Sequence, residues 1–242
     1  MREGGFAKTA ERLKDPATRE RVKRDMDDAN AATWENQWYG ANGGDGVMVS
    51  TVLDPSLRKY EGMTLTEIGK TMGKDPRDAV IDLVLADKGE TSVVTAIMDE
   101  NDVRAALKHP LVGVGTDSGA KAEDGKLAES KSHPRAWGSF PRILGRYVRD
   151  EKLLTLEEAI RKMTSKAATR VHLNDRGVLR PGLAADITVF DPATIRDVAT
   201  FDDPTHYSVG VRHVLVNGRR VVADGKITEE RPGRVLRGPG SR

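Results

Sequence analysis

Apolar positions along the chain follow two periods, and each predicts a set of elements. Val47-Met48-Val49-Ser50-Thr51-Val52 is a β-branched run suited to a strand buried on both faces, and it follows a stretch from Gly40 to Gly46 too rich in glycine for regular structure. Thr64 and Glu67 have capping-box spacing ahead of Ile68, and Asp75-Pro76 sets an N-cap residue before a proline at the first helical position. Ala79, Val80, Leu83 and Val84 then recur at helical spacing, and Gly89 is placed to end that helix in a left-handed turn. Val93 to Met98 reads as a strand, Asp99 as the cap of a helix carrying Val103, Ala106 and Leu107, and Leu111-Val112-Gly113-Val114 as the next strand after Pro110.

Strand, helix and strand in alternation predict an α/β fold with helices packed on a parallel sheet, where reactive side chains gather at the carboxyl ends of strands. Gly115-Thr116-Asp117-Ser118-Gly119 stands at such an end. Further on, Thr155 and Glu158 have capping-box spacing at the start of a helix reaching Val171, with Leu156, Ala159, Ile160, Met163 and Ala167 along one side. After Leu173 the texture becomes β-rich: Asp186 to Phe190 reads as a strand, and two more flank the hairpin signal Asn217-Gly218, with a further turn at Asp224-Gly225. Residues 1–40 are polar and charged. They predict one or two surface helices broken at Asp15-Pro16, in the manner of a lid or insertion.

Composition narrows the function classes. Lys plus Arg total 39 against 37 Asp plus Glu, mixed along the chain, so no basic block points to nucleic acid as a partner. No apolar run approaches the ~18 residues that cross a bilayer, and the segment from Met1 to Lys8 has no signal-peptide core, so the expectation is a cytoplasmic protein with no membrane partner. The chain has 0 cysteines, which leaves His and carboxylates for any metal chemistry within it. Its five histidines, His109, His133, His172, His206 and His213, form neither HxH nor HExxH spacing.

Two places carry candidate chemistry. Asp117 follows an apolar strand, where a carboxylate is costly to bury unless paired or metal-bound; it also suits a loop aspartate that caps a turn. His133-Pro134-Arg135, with Trp137 and Phe140, fits recognition of a planar carboxylate by a guanidinium, and equally a surface ion pair beside an aromatic anchor. The stretch from Gly40 to Gly46 is no phosphate loop, since it lacks the Lys-Ser/Thr ending and precedes a strand.

Several segments together resemble the amidohydrolase superfamily and, within it, the N-acyl-D-amino-acid deacylases, or D-aminoacylases. They are GTDSGA (Gly115 to Ala120), HPRAWGSFPRILGRYVRD (His133 to Asp150), LTLEEAIRKMTSKAATR (Leu154 to Arg170), GVLRPGLAADITVFDPATI (Gly177 to Ile195), DDPTHYSVGVRHVLVNGRRVV (Asp202 to Val222) and PGRVLR (Pro232 to Arg237). The GxLxxGxxADxxxxD part marks only an amidohydrolase tail, whereas HPRxWGxFPRxLGxYxRD is far more specific, and the resemblance runs from Gly4 onward. It implies the carboxyl-terminal part of a metal-dependent (β/α)8 TIM-like barrel over residues 1–172, with a lid segment at 1–45, and part of a small β-sandwich over 173–242. It also implies zinc as cofactor and hydrolysis of an N-acyl-D-amino acid to a D-amino acid and a carboxylate. Asp117 matches the family's metal-site aspartate, which accepts and relays the proton of the attacking water. Arg135 matches the holder of the substrate carboxylate, and Ser50 and Tyr60 lie near the residues lining the substrate pocket.

The resemblance also implies a departure. The family's HxH, its zinc-binding cysteine and its two later histidines all lie upstream of the matched region, and Asp117 alone cannot hold a zinc ion that takes three protein ligands. The expectation is a carboxyl-terminal half that is inactive, and prone to associate, until a complementary amino-terminal half completes the barrel. Two other readings stand beside it: a partner-requiring subunit of a split deacylase, and a non-catalytic protein that binds N-acyl amino acids through Arg135.

Overall fold

The computed structural model describes residues 3–31, 34–128 and 132–237. They form two compact units, one of the described residues up to 98 with 132–133 and the other of residues 99–128 with 134–237.

In the first unit, α1 (Gly5–Lys14) and α2 (Pro16–Met26) meet at Asp15, whose carboxylate caps α2 by accepting from the Thr18 amide at 2.8 Å. No residue of α2 is buried. It is tied to the later helix Pro76–Ala86 by ion pairs, Lys23 Nζ to Asp78 at 3.0 Å among them. The short α3 (Gln37–Gly40) and a 3-10 turn at Gly43–Gly46 lead into β1 (Val47–Thr51). After a second 3-10 segment, Pro55–Tyr60, come α4 (Leu65–Met72), α5 (Pro76–Ala86) and β2 (Ser92–Thr95).

The capping box of α4 forms as its spacing predicts: the Glu67 amide donates to Thr64 Oγ1 at 3.2 Å, and the Thr64 amide to Glu67 Oε2 at 2.8 Å. Helix α5 ends at Ala86, with both Lys88 and Gly89 in left-handed conformation and the Gly89 amide donating to the Val84 carbonyl at 2.9 Å. Its cap residue Asp87 is buried and accepts from the amides of Leu53 and Asp54 and from Thr91 Oγ1. The core gathers Val47, Val49, Tyr60, Leu65, Ile68 and Leu83. Contrary to the parallel pairing that the alternation predicts, β1 and β2 are antiparallel, with Val47 opposite Thr95 and Val49 opposite Val93. The connection between them carries two helices rather than the single helix of a βαβ crossover, so the parallel rule has no hold on it.

In the second unit, α6 (Glu100–Lys108) precedes a long irregular stretch and a 3-10 turn at Gly125–Leu127. Next, α7 (Arg135–Arg142) runs directly into a π-helical segment, Ile143–Asp150. Pro141, inside α7, has no amide to give the Trp137 carbonyl four residues back, and Ser208 Oγ donates to that carbonyl instead at 3.0 Å. Gly138 and Gly145 let the Ile195–Asp197 backbone lie directly on this helix: a Cβ at Gly138 would stand 2.5 Å from Asp197 Cβ, and one at Gly145 2.6 Å from the Ile195 carbonyl. The core is built from Leu107, Ile143, Leu144, Tyr147, Ala159 and Ile195.

Two sequence expectations change here. The helix from Thr155 to Val171 is two helices, α8 (Leu156–Met163) and α9 (Ser165–Arg170), broken at Thr164, whose hydroxyl turns back to the Ile160 carbonyl at 2.7 Å. Leu111–Val114 forms no strand. The ammonium groups of Lys162 and Lys166 hold the His109, Pro110 and Val112 carbonyls, and no strand lies beside the segment among the described residues. The tail matches its turn signals. Strands β3 (Ile187–Phe190), β4 (Val211–Val216), β5 (Arg219–Ala223) and β6 (Lys226–Ile227) make an antiparallel sheet in chain order. Both residues of the Asn217-Gly218 turn have positive φ, 48° and 79°, the signature of a two-residue type I′ hairpin.

Candidate active site

Asp117 lies on the irregular segment after α6, with φ at 46°, in the left-handed region. Its carboxylate is 91% exposed and meets the guanidinium of Arg135, the first residue of α7, with Nη2 to Oδ2 at 3.0 Å. The two candidates of the second unit are therefore in contact. Beside α7, the Trp137 and Tyr207 rings meet edge to face with centroids 5.4 Å apart, and Glu123 accepts from the Tyr207 amide at 2.7 Å.

Ser50 and Tyr60 belong to the first unit. Ser50 is buried on β1, and Tyr60 closes the 3-10 segment with its ring in the core cluster and Lys59 Nζ 5.0 Å from the ring centre. Tyr60 thus has a packing role of its own.

His109, His206 and His213 occupy structural positions. His109 caps α6 and accepts from the Leu111 amide at 3.3 Å. His206 faces Asp203 at 2.7 Å, a hydrogen bond that raises the imidazole above its ordinary pKa. His213, on β4, accepts from the Asp224 amide. Among the described residues, no three His, Asp or Glu side chains converge in a way that could hold a metal ion. With Asp117 extended into solvent and engaged by Arg135, these residues do not by themselves fit a zinc site.

A further residue shapes the approach to Asp117. Lys162 on α8 is 1% exposed, and its ammonium donates to the carbonyls of His109 at 2.5 Å and Val112 at 2.9 Å, fixing the turn from which the Asp117 segment leaves. Burial pushes its pKa down. Its readable signal is faint: a lysine three residues after Ala159, next to the apolar stripe of that helix.

Residues 69–222 match the amidohydrolase family, and the chain belongs to it. It is 44% identical over 176 residues to an N-acyl-D-glutamate deacylase of Alcaligenes xylosoxydans xylosoxydans, a match covering 73% of this chain and 33% of the relative. A D-aminoacylase of the same organism is 40% identical over 178 residues, covering 74% and 34%. Among solved structures, the N-acyl-D-glutamate deacylase from Bordetella bronchiseptica, complexed with zinc and a phosphonate inhibitor that mimics the tetrahedral intermediate, superposes with a TM-score of 0.69 at 38% identity. That superposition covers 83% of this chain and 39% of that one. The matched part is thus about a third of the length of the curated relatives. The deacylase resemblance of the sequence motifs is borne out.

Proposed function

We propose that this chain is part of an N-acyl-D-amino-acid deacylase, the part that carries its proton-transfer carboxylate and its substrate-holding guanidinium. The carrying observation is that Arg135 already binds a carboxylate, that of Asp117, at 3.0 Å, in a chain 44% identical to a deacylase of an acidic N-acyl-D-amino acid. In the reaction, Arg135 takes the α-carboxylate of the substrate in a charge-assisted pair. Released from Arg135, Asp117 accepts a proton from the water that attacks the amide carbon and returns it to the departing nitrogen as the C–N bond breaks. The two roles need two separate partners, so the pair must open. An ion pair this exposed contributes only about 0–1 kcal/mol, and its opening is correspondingly cheap.

On this reading, residues 1–172 belong to a TIM-like barrel, with 1–45 as its lid, and residues 173–242 to a β-sandwich. Zinc is present in the homologous Bordetella bronchiseptica structure, and on this reading its donors belong to a complementary amino-terminal half. The test is steady-state kinetics on N-acetyl-D-glutamate with a polypeptide that contains both halves. Asp117→Asn is expected to lower kcat by roughly 10³-fold or more with little change in KM, and Arg135→Ala to raise KM by about tenfold or more. Near-normal kcat in Asp117→Asn would remove the proposed proton carrier.

A further inference from the structure

Asp117 and Arg135 leave the backbone from different segments, and one dipeptide of the tail touches both segments. The Tyr207 amide donates at 2.7 Å to Glu123, which stands six residues after Asp117 on the same irregular stretch. The next residue, Ser208, donates its hydroxyl at 3.0 Å to the Trp137 carbonyl, in the turn of α7 that opens with Arg135. The Tyr207 ring packs on the same turn, edge to face with Trp137.

That turn lacks two of the restraints a helix start usually has. Pro134, at the N-cap, makes no side-chain capping bond, and Pro141 has no amide for the Trp137 carbonyl. The tail, by contrast, is a firm base. Val209 pairs with Arg196 through two backbone bonds of 3.1 and 3.2 Å. Gly210, with φ at 91°, lies so close to Ile195 that a Cβ on it would stand 2.5 Å from the Ile195 Cα. Ser208 is therefore held at a set place relative to the Ile195–Asp197 backbone on which α7 rests.

Placement matters at such a site. A guanidinium fork grips a planar carboxylate over a narrow range of positions, and a proton carrier needs hydrogen-bond reach of its water, so an error of about 1 Å can cost on the order of 100-fold in rate. We propose that Tyr207 and Ser208 are positioning residues: Ser208 sets Arg135 through the first turn of α7, and the Tyr207 amide sets Asp117 through Glu123. The tail thereby shapes the site without touching substrate. The proposal rests on the reading that Asp117 and Arg135 perform the deacylation.

The first test needs no turnover and uses the full chain. Ser208→Ala orphans the Trp137 carbonyl, and hydrogen exchange of the Trp137 and Gly138 amides, both donors to the Pro134 carbonyl, is expected to accelerate about fivefold or more while α8 keeps its protection. Kinetics on N-acetyl-D-glutamate follow, with the polypeptide that contains both halves. Ser208→Ala is expected to raise KM about fivefold with kcat within about twofold of the parent, and Ser208→Thr, which keeps the hydroxyl, to restore KM. Glu123→Ala is expected to do the reverse, lowering kcat about tenfold with little change in KM. Glu123 is exposed, so this arm stands even where Ser208→Ala fails to fold. Unchanged exchange at both amides, or a fall in kcat together with a matching rise in KM in both variants, would overturn the proposal. Arg135→Ala, run alongside, separates the two readings. A normal KM there removes the deacylase reading, whereas a raised KM there with parental constants in Ser208→Ala and Glu123→Ala removes the positioning alone.

Discussion

The ammonium of Lys162 donates to the carbonyl of Val112 at 2.9 Å, from a side chain 1% exposed to solvent. One helix thus anchors the turn that leads toward Asp117. A buried charge is tolerated because two carbonyls and, at 3.8 Å, the Glu158 carboxylate surround it.

Lys162→Met keeps the bulk of the side chain but orphans the His109 and Val112 carbonyls. The orphaned acceptors outweigh the relief from burying a charge, and a net loss of about 2 kcal/mol is expected in urea unfolding. Hydrogen exchange at Leu111 and Val112, whose amides donate to His109, should accelerate beyond the change in global stability. Unchanged protection there would show that the ammonium does not hold the turn.

Asp117 behaves oppositely. Its carboxylate is exposed and its pairing with Arg135 lies at the surface, so Asp117→Asn is expected to change the unfolding free energy by less than about 1 kcal/mol. A larger shift of the urea midpoint would mean that Asp117 serves folding as well as chemistry.

Local signals proved readable in the sequence where a few neighbouring residues decide the outcome. The Thr64–Glu67 box, the Asp15, Asp75 and Asp99 caps and the Asn217-Gly218 hairpin are contests settled within four residues. Non-local relations were not readable. The apolar run at Leu111–Val114 has strand composition, but a strand needs a neighbour, and here Lys162 of α8 takes the Val112 carbonyl while Lys166 of α9 holds that of Pro110 just before the run. The break at Thr164 was hidden because Ala159, Ile160, Met163 and Ala167 keep helical spacing through it. For the site, the motif resemblance singled out Asp117 and Arg135, and no spacing rule reveals that each would occupy the other.

The glycines of the α7 segment make a prediction in steric terms. Gly138→Ala places a methyl 2.5 Å from Asp197 Cβ, and neither side of that contact is a flexible tip. The substitution is expected to cost about 1–3 kcal/mol. Gly119→Ala, with open space around its Cβ, is the control and should stay within about 0.5 kcal/mol of the parent. Equal urea midpoints for the two variants would show that the Ile195–Asp197 segment can move aside.

Glu151 supplies a pH dependence whose sign is fixed by its partners. Arg104 first and Arg146 second hold its carboxyl down to about 2, and the Arg104 guanidinium grips both oxygens at 2.8 and 3.0 Å. A folded pKa below the unfolded value of about 4.3 means that the stabilisation is complete above the unfolded value and disappears as pH falls through the folded one. Asp75, held down to about 2 by Arg77, acts in the same direction in the first unit. Glu151→Gln removes one contribution. Its melting temperature should lie below that of the parent at pH 7, and the gap should close between about pH 4.5 and 2 as the parent protonates. A gap of constant size across that range would show that Glu151 stabilises the fold by packing rather than by its charge.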